Sequence, residues 1–434
     1  MDRKLFGRMT TKGEYLKKGG CVALGMFLLT YFMQIQWVGI CCVMAGVFLA
    51  FPKVMKYHYQ SVLEKRRFED AVTYMEYVIY GFLRMPKILN TLEETVKLCQ
   101  GTLEQVLRHA IDRIRYADTY QDIYKDALEL VEKEYGNHRM KELHRFLMQI
   151  EQQGGEYRES LEVLLENIRQ WEEMIQTLIV ERRELSRKVS ISILLSFATA
   201  VTMVGLLPQD MGRISDSLLY QVSSVIFLLS GIGLYLLCQK TLVRSWLHNE
   251  EEEDMRPVYD YCLKHMEKKN RHYYFQEKKL NRHVQKEFSI WLRNVILNMN
   301  TENVFVAMEK GAEQCSYVLK REVLSALEKI QKKPESMEGY QSFFQDFEMP
   351  GIKNVFLMFY SFSEFGTQSA QGQMNALIQR NNKLANQSER IINEDSLGIF
   401  GIYMLCPMVL AAGKMLLDMW VFVQQFLVFY SGGI

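Results

Sequence analysis

Residues 19–51 read GGCVALGMFLLTYFMQIQWVGICCVMAGVFLAF, without a single charged side chain. About 20 apolar residues cross the hydrocarbon core of a bilayer. A run this long exceeds one ordinary span and suits two short ones. Its polar centre, Gln34, Ile35, Gln36 and Trp37, supplies a turn and an interfacial aromatic. Both flanks are basic, with Lys4, Arg8, Lys12, Lys17 and Lys18 before and Lys53, Lys56, Lys65, Arg66 and Arg67 after. Basic flanks stay in the cytoplasm, so both ends are read as cytoplasmic and the segment as a hairpin. A single strongly tilted helix is the rival, and it places one basic cluster outside. A cleaved leader is not expected: its apolar core runs to about 7–15 residues and a small-residue cleavage site follows.

A second apolar pair covers residues 189–207 and 218–238, joined by the nearly neutral linker 208–213. Arg182, Arg183, Arg187 and Lys188 precede it, and Lys240 and Arg244 follow, so it reads as another in–out–in hairpin. The last apolar stretch starts at Leu397 and is interrupted by Lys414 and Asp418. Residues 397–413 give one span. Whether residues 415–430 return as a sixth is open, because Gln424 and Gln425 stand mid-segment. On this reading no span holds an ionisable residue near its middle, which argues against an ion or proton pathway.

The remaining segments are polar and helical by pattern. The fold class is therefore an all-α polytopic membrane protein, with duplicated cytoplasmic helical bundles separated by transmembrane helix hairpins. The parts are an N-terminal hairpin (1–52), a first cytoplasmic bundle (53–188), a second hairpin (189–239), a second, degenerate bundle (240–395) and a C-terminal membrane segment (396–434). Segregation of this kind explains a mean hydropathy of only -0.11. Lys and Arg total 52 against 51 Asp and Glu, so bulk charge excludes a polyanion binder, and no nucleic-acid partner is expected. Seven prolines in 434 residues favour long helices.

Within the first bundle, Val72, Met75, Ile79, Phe82 and Leu83 recur at helical spacing. Arg84-Met85-Pro86, Gln100-Gly101, Tyr135-Gly136-Asn137 and Gly154-Gly155 punctuate the helices that follow. From residue 157 to 207 there is no proline and no glycine before Gly205. Leu161, Leu164, Leu165, Ile168, Trp171, Ile175 and Leu178 form a stripe that gives way to an all-round apolar surface near Val189. One continuous helix of roughly 75 Å is expected, running from bundle to bilayer. It is read either as a lever that carries motion of the bundle into the membrane or as a simple anchor.

The two bundles also resemble each other. Phe68 to Cys99 lies over Phe288 to Cys315, and residues 140–155 over 352–366. Reactive chemistry is not found. There is no P-loop, no H-E-x-x-H and no G-x-S-x-G. The eight cysteines form neither a disulfide framework nor a zinc ribbon. His265 and His272 have no evident partner ligand, so no cofactor is expected. An acidic run at 250–254 precedes a basic stretch of Lys264, Lys268, Lys269, Arg271, Lys278, Lys279 and Arg282, interleaved with Tyr273, Tyr274 and Phe275. Two readings stay open: contact with anionic headgroups or an acidic partner, or a solvated helix whose acidic and basic parts pair.

GGEYRESLEVLLENIRQ (154–170) and the run 179–195 leading into a membrane helix resemble the type II secretion F family. The layout is most similar to the platform proteins of Tad (tight-adherence) pilus machines. The matching positions are Gly154, Gly155, Leu161, Ile168, Arg169, Glu181, Arg182 and Ser186. The second copy keeps Gly366, with Thr367 in place of a second glycine, and has Pro407 in its span. The resemblance implies a non-enzymatic platform in the bacterial cytoplasmic (inner) membrane, multi-pass with a cytoplasmic N-terminus. Implied partners are a secretion or pilus ATPase, pilin or pseudopilin subunits, further platform subunits and the lipid bilayer. A membrane signalling protein with helical output domains is the alternative, and a transporter is a third class.

Overall fold

The computed structural model describes residues 12–116, 123–154, 157–206, 214–243, 245–247, 254–266, 270–299, 302–313, 315–345, 347, 349–365 and 371–431. Among them every regular element is helical: α1 (Lys12–Phe32), α2 (Trp37–Arg84), α3 (Ile88–Leu98), α4 (Thr102–Arg115), α5 (Ile123–Tyr135), α6 (His138–Gln153), α7 (Arg158–Leu206) and α8 (Leu218–Leu242). These are followed by α9 (Arg256–Lys264), α10 (Arg271–Asn298), α11 (Val304–Ala312), α12 (Tyr317–Lys332), α13 (Met337–Gln341), α14 (Pro350–Phe365) and α15 (Gln371–Ser431). A short 3-10 turn, Ile214–Asp216, precedes α8. Two compact units result. One takes residues 1–66, 176–246 and 394–434, the other 67–175 and 247–393. The divisions fall inside α2, α7 and α15.

The first unit is the membrane unit. α2, α7, α8 and α15 carry stretches long and apolar enough to cross a bilayer, so this is a membrane protein. Leu206, Leu218 and Phe48 stand about four-fifths exposed, as lipid-facing side chains do. Its core gathers Met33, Val43, Val47, Val189, Ile193, Phe197, Phe227, Leu228, Cys238 and Phe400. With no hydrophobic drive between helices in lipid, close backbone approach supplies the contact. Gly231 of α8 shows it: a Cβ there would stand 2.5 Å from the Phe197 ring of α7. The polar island of residues 34–36 breaks the first helix as expected. α1 ends at Phe32, Gln34 takes φ 51°, and α2 begins at Trp37. The Phe51 ring lies 3.1 Å from where a Cβ on Gly19 would be, so the two arms fold back on each other.

Two expectations fare differently. The unbroken helix from residue 157 to 207 is present as α7, 49 residues long. The C-terminal stretch, by contrast, neither ends at 413 nor returns: α15 is one helix of 61 residues straight through Lys414 and Asp418. Among the described residues there is no sixth span. The expectation that Lys414 and Asp418 interrupt the span is overturned, because both charges lie inside the apolar stretch Gly398–Val428. Opposite charges four residues apart share a helix face, so they neutralise one another without breaking the helix. Pro407 is likewise absorbed within α15, as membrane helices allow.

The second unit holds two helical modules, residues 67–175 and 247–393. In the first, Val72, Met75, Ile79 and Phe82 are all at most 3% exposed, as their spacing predicts, whereas Leu83, expected on the same stripe, is only half-buried. Asn137 caps α6 by accepting from the Met140 amide at 2.9 Å, and Gly154, at φ 70°, ends it. In the second, α10 to α14 enclose Phe288, Trp291, Phe343, Phe356 and Phe359. Asn303 caps α11 on the Val306 amide at 2.9 Å.

Candidate functional site

The positions that carry the family resemblance are strung along α7. Leu161 and Ile168 are buried in the first module. Arg169 reaches Glu76 of α2 at 3.3 Å and donates to the Tyr80 hydroxyl. Glu172, one turn on, has its carboxyl raised above the usual range by burial and by Glu76, Glu173 and Glu69. In the membrane unit Arg182 is 3% exposed, its guanidinium over the Trp246 ring at 5.1 Å. Ser186 is buried and accepts from the Cys238 thiol of α8 at 3.6 Å. Glu181 is half-buried. Gly154 closes α6, whereas Gly155 and Gly366 lie outside the described residues. Pro407 is buried in α15, remote in sequence from the rest. These residues do not converge on one pocket. They mark successive contacts along a single helix.

The charged centre lies elsewhere, and the sequence reading missed it. Lys414 and Asp418 are 4% and 1% exposed and pair with each other on α15. Lys414 also donates to Ser223 Oγ of α8 at 3.1 Å, and its ammonium sits 4.0 Å from the centre of the Tyr220 ring. The three N–H directions of the ammonium thus meet a carboxylate, a hydroxyl and an aromatic face. Tyr220 continues the cluster by donating to the Met33 carbonyl at 2.8 Å. Gln221 beside it accepts from the Gln36 amide at 2.9 Å and donates to the carbonyls of Gln34 (3.1 Å) and Ser215 (2.6 Å). The backbone of the hairpin turn, which has no helical partner, is therefore satisfied by α8 side chains.

The other end of the same helices sets the direction of α15. Tyr403 meets Thr241 at 3.3 Å and Ser192 donates to the Met404 carbonyl at 2.8 Å, so α15 runs antiparallel to α8. Through Tyr220 and its neighbour Gln221 the pair joins the hairpin turn, which is followed by the exposed ring of Trp37, an aromatic of the boundary type. A charge near the boundary costs far less than one at the centre. Beside it, a groove of about 220 Å³ between α7 and α15 is lined by Ser196, Thr199, Met203, Met408 and Asp418. Chemically the cluster is a clasp: it holds fixed charge and ties α15 to α8 and to the turn.

The first module holds a second polar set. His144 is fully buried. Its Nδ1–H donates to Glu132 at 2.8 Å, which leaves Nε2 to accept from the Tyr74 hydroxyl at 2.9 Å. Burial, then Glu132 and Cys99, holds the Tyr74 phenol well above its ordinary pKa, so it stays a donor. Nearby, Arg139 lies 4.7 Å over the Trp171 ring. His265 and His272 both pack on Tyr261, at 4.2 and 5.2 Å between ring centres. Among the described residues no three His, Cys, Asp or Glu side chains come together as a metal cage. Compared with protein-family models, curated proteins and solved structures, the chain matches none.

Proposed function

We propose that this chain is a non-enzymatic membrane platform of the type II secretion F kind, coupling a cytoplasmic secretion ATPase to the assembly of pilin-like subunits in the bacterial inner membrane. The observation that carries the reading is α7. Leu161, Ile168 and Trp171 are buried at one end of it, and Val189, Ile193 and Phe197 at the other, with no break in 49 residues. Such a helix is suited to carry a displacement of the module to the lipid phase. The order of elements supports duplication. In each half a long helix is followed by four shorter ones and then by the helix that enters the membrane: α2 to α7 in the first, α10 to α15 in the second. The paired positions Phe68 and Phe288, and Leu92 and Met308, are buried in both. With α1 counted as a fifth span beside the four apolar helices, and with a cytoplasmic N-terminus, the C-terminus of α15 emerges on the opposite face.

Inserting two glycines after Arg187 tests the coupling. The lesion keeps both ends of α7 but breaks the helix between them. The expected result is normal accumulation in the membrane with loss of surface fibres or secretion; full assembly by the variant contradicts the reading. The buried ion pair favours transport as the second reading. Ion or proton flux through the purified protein in liposomes, abolished by Asp418→Asn, would favour that reading over a platform.

A further inference from the structure

The basic stretch after α8 is organised by α10. Tyr273, Leu280, Val284, Phe288 and Trp291 occupy the buried face and are at most 2% exposed. With its core face used in this way, the helix presents a second stripe to solvent, Arg271, Phe275, Lys278 and Arg282, at spacings of four, three and four. Phe275 is 68% exposed and Tyr274, on its flank, 57%. Residues 250–253 of the acidic run lie outside the described residues. Asp254, the described end of that run, faces Arg256 at 3.7 Å. Neither Arg271 nor Lys278 has an ion-pair partner among the described residues. Two large aromatics in water beside Arg271 and Lys278 are a poor solvated surface. They suit a bilayer interface, where the rings enter the headgroup layer and the bases meet phosphate.

The geometry points to an anionic lipid surface as the ligand of this face: Arg271 and Lys278 bind headgroup phosphates and Phe275 and Tyr274 insert between them. Charge complementarity selects the lipid, because each base near an anionic surface strengthens association about fivefold while a neutral surface leaves only the rings. The inference does not depend on the platform reading; it requires only a membrane protein with this helix face.

The test uses the full chain in lipid nanodiscs, with a photoreactive benzophenone side chain in place of Phe275. One set of discs holds phosphatidylcholine alone, the other a mixture with phosphatidylglycerol. Illumination is expected to give lipid adducts chiefly in the anionic discs. Arg271→Gln with Lys278→Gln should cut them about twenty-fivefold, the product of two fivefold losses. High salt should cut them as well. Lys329→Gln with Lys332→Gln, an equal charge loss on α12, should leave the yield unchanged and shows that the fold is intact. Equal adducts in both kinds of disc overturn the proposal. So does crosslinking to the chain itself, or, in cell membranes, to another protein in place of lipid.

Discussion

The two helical modules share an order of elements but not a core chemistry. The first, residues 67–175, sets buried polar contacts within an apolar core: Glu132, His144 and Tyr74 in series, and Arg139 over Trp171. The second, residues 247–393, is built around rings. Trp291 stacks on Phe356 with centres 5.4 Å apart and planes 7° from parallel, and Phe343 stacks on Phe356 at 3.8 Å. Polar cores specify one arrangement because every partner must be in place, whereas aromatic cores gain from area and tolerate adjustment. On the proposed duplication, the frame is kept while what the interior demands changes. The first module is accordingly the one whose geometry is fixed by particular hydrogen bonds.

The comparison breaks most readily at its aromatic end. Trp291→Ala removes the centre of the second core and is expected to cost about 3–5 kcal/mol, read as a loss of thermal stability of the full chain in detergent. A loss under about 1 kcal/mol would mean that the rings are not the core. The membrane unit supplies a third kind of interior, a single ion pair. Lys414→Met leaves Asp418 buried without its cation and should destabilise by about 3–5 kcal/mol, whereas Lys414→Met with Asp418→Leu should recover most of that. A double variant as unstable as the single one would show that Ser223 and Tyr220, not charge neutralisation, hold α15.

Tyr74→Phe sharpens the polar side. It deprives buried Nε2 of His144 of its donor and should cost about 1–3 kcal/mol, less than Trp291→Ala. The reverse order would contradict the contrast between the modules. The smallest effect concerns Glu172. Its folded-state pKa is raised, so ionisation opposes folding above that pKa and the penalty disappears as pH falls through it. Glu172→Gln should therefore raise the melting temperature slightly at neutral pH, with the gain vanishing in acid. A gain that persists below the ordinary carboxylate range would assign it to packing.

Much of the frame was legible in the sequence. The switch from a striped to an all-round apolar pattern near Val189, with no proline or glycine nearby, already specified α7. The island at Gln34 and Gln36 already specified a turn, although not that Gln221, far along the chain, satisfies it. Lys414 and Asp418 misled because charges in an apolar run were read as an interruption. Their spacing of four was the signal for a continuous helix, and Tyr220 and Ser223 in the preceding span were the polar side chains to seek as partners. His144 could not be found this way. It sits between Leu143 and Phe146 on an apolar face, and its partners Tyr74 and Glu132 are brought to it only by tertiary packing.

Sidedness is the most direct test of the platform account, because both modules must face the ATPase. Glu104→Cys in the first module, Lys329→Cys in the second and Ser431→Cys at the end of α15 can be treated with a membrane-impermeant maleimide in intact cells, against the unsubstituted chain as background. The account predicts labelling at residue 431 alone, with residues 104 and 329 reacting only after the membrane is opened. Labelling of either module in sealed cells would contradict it.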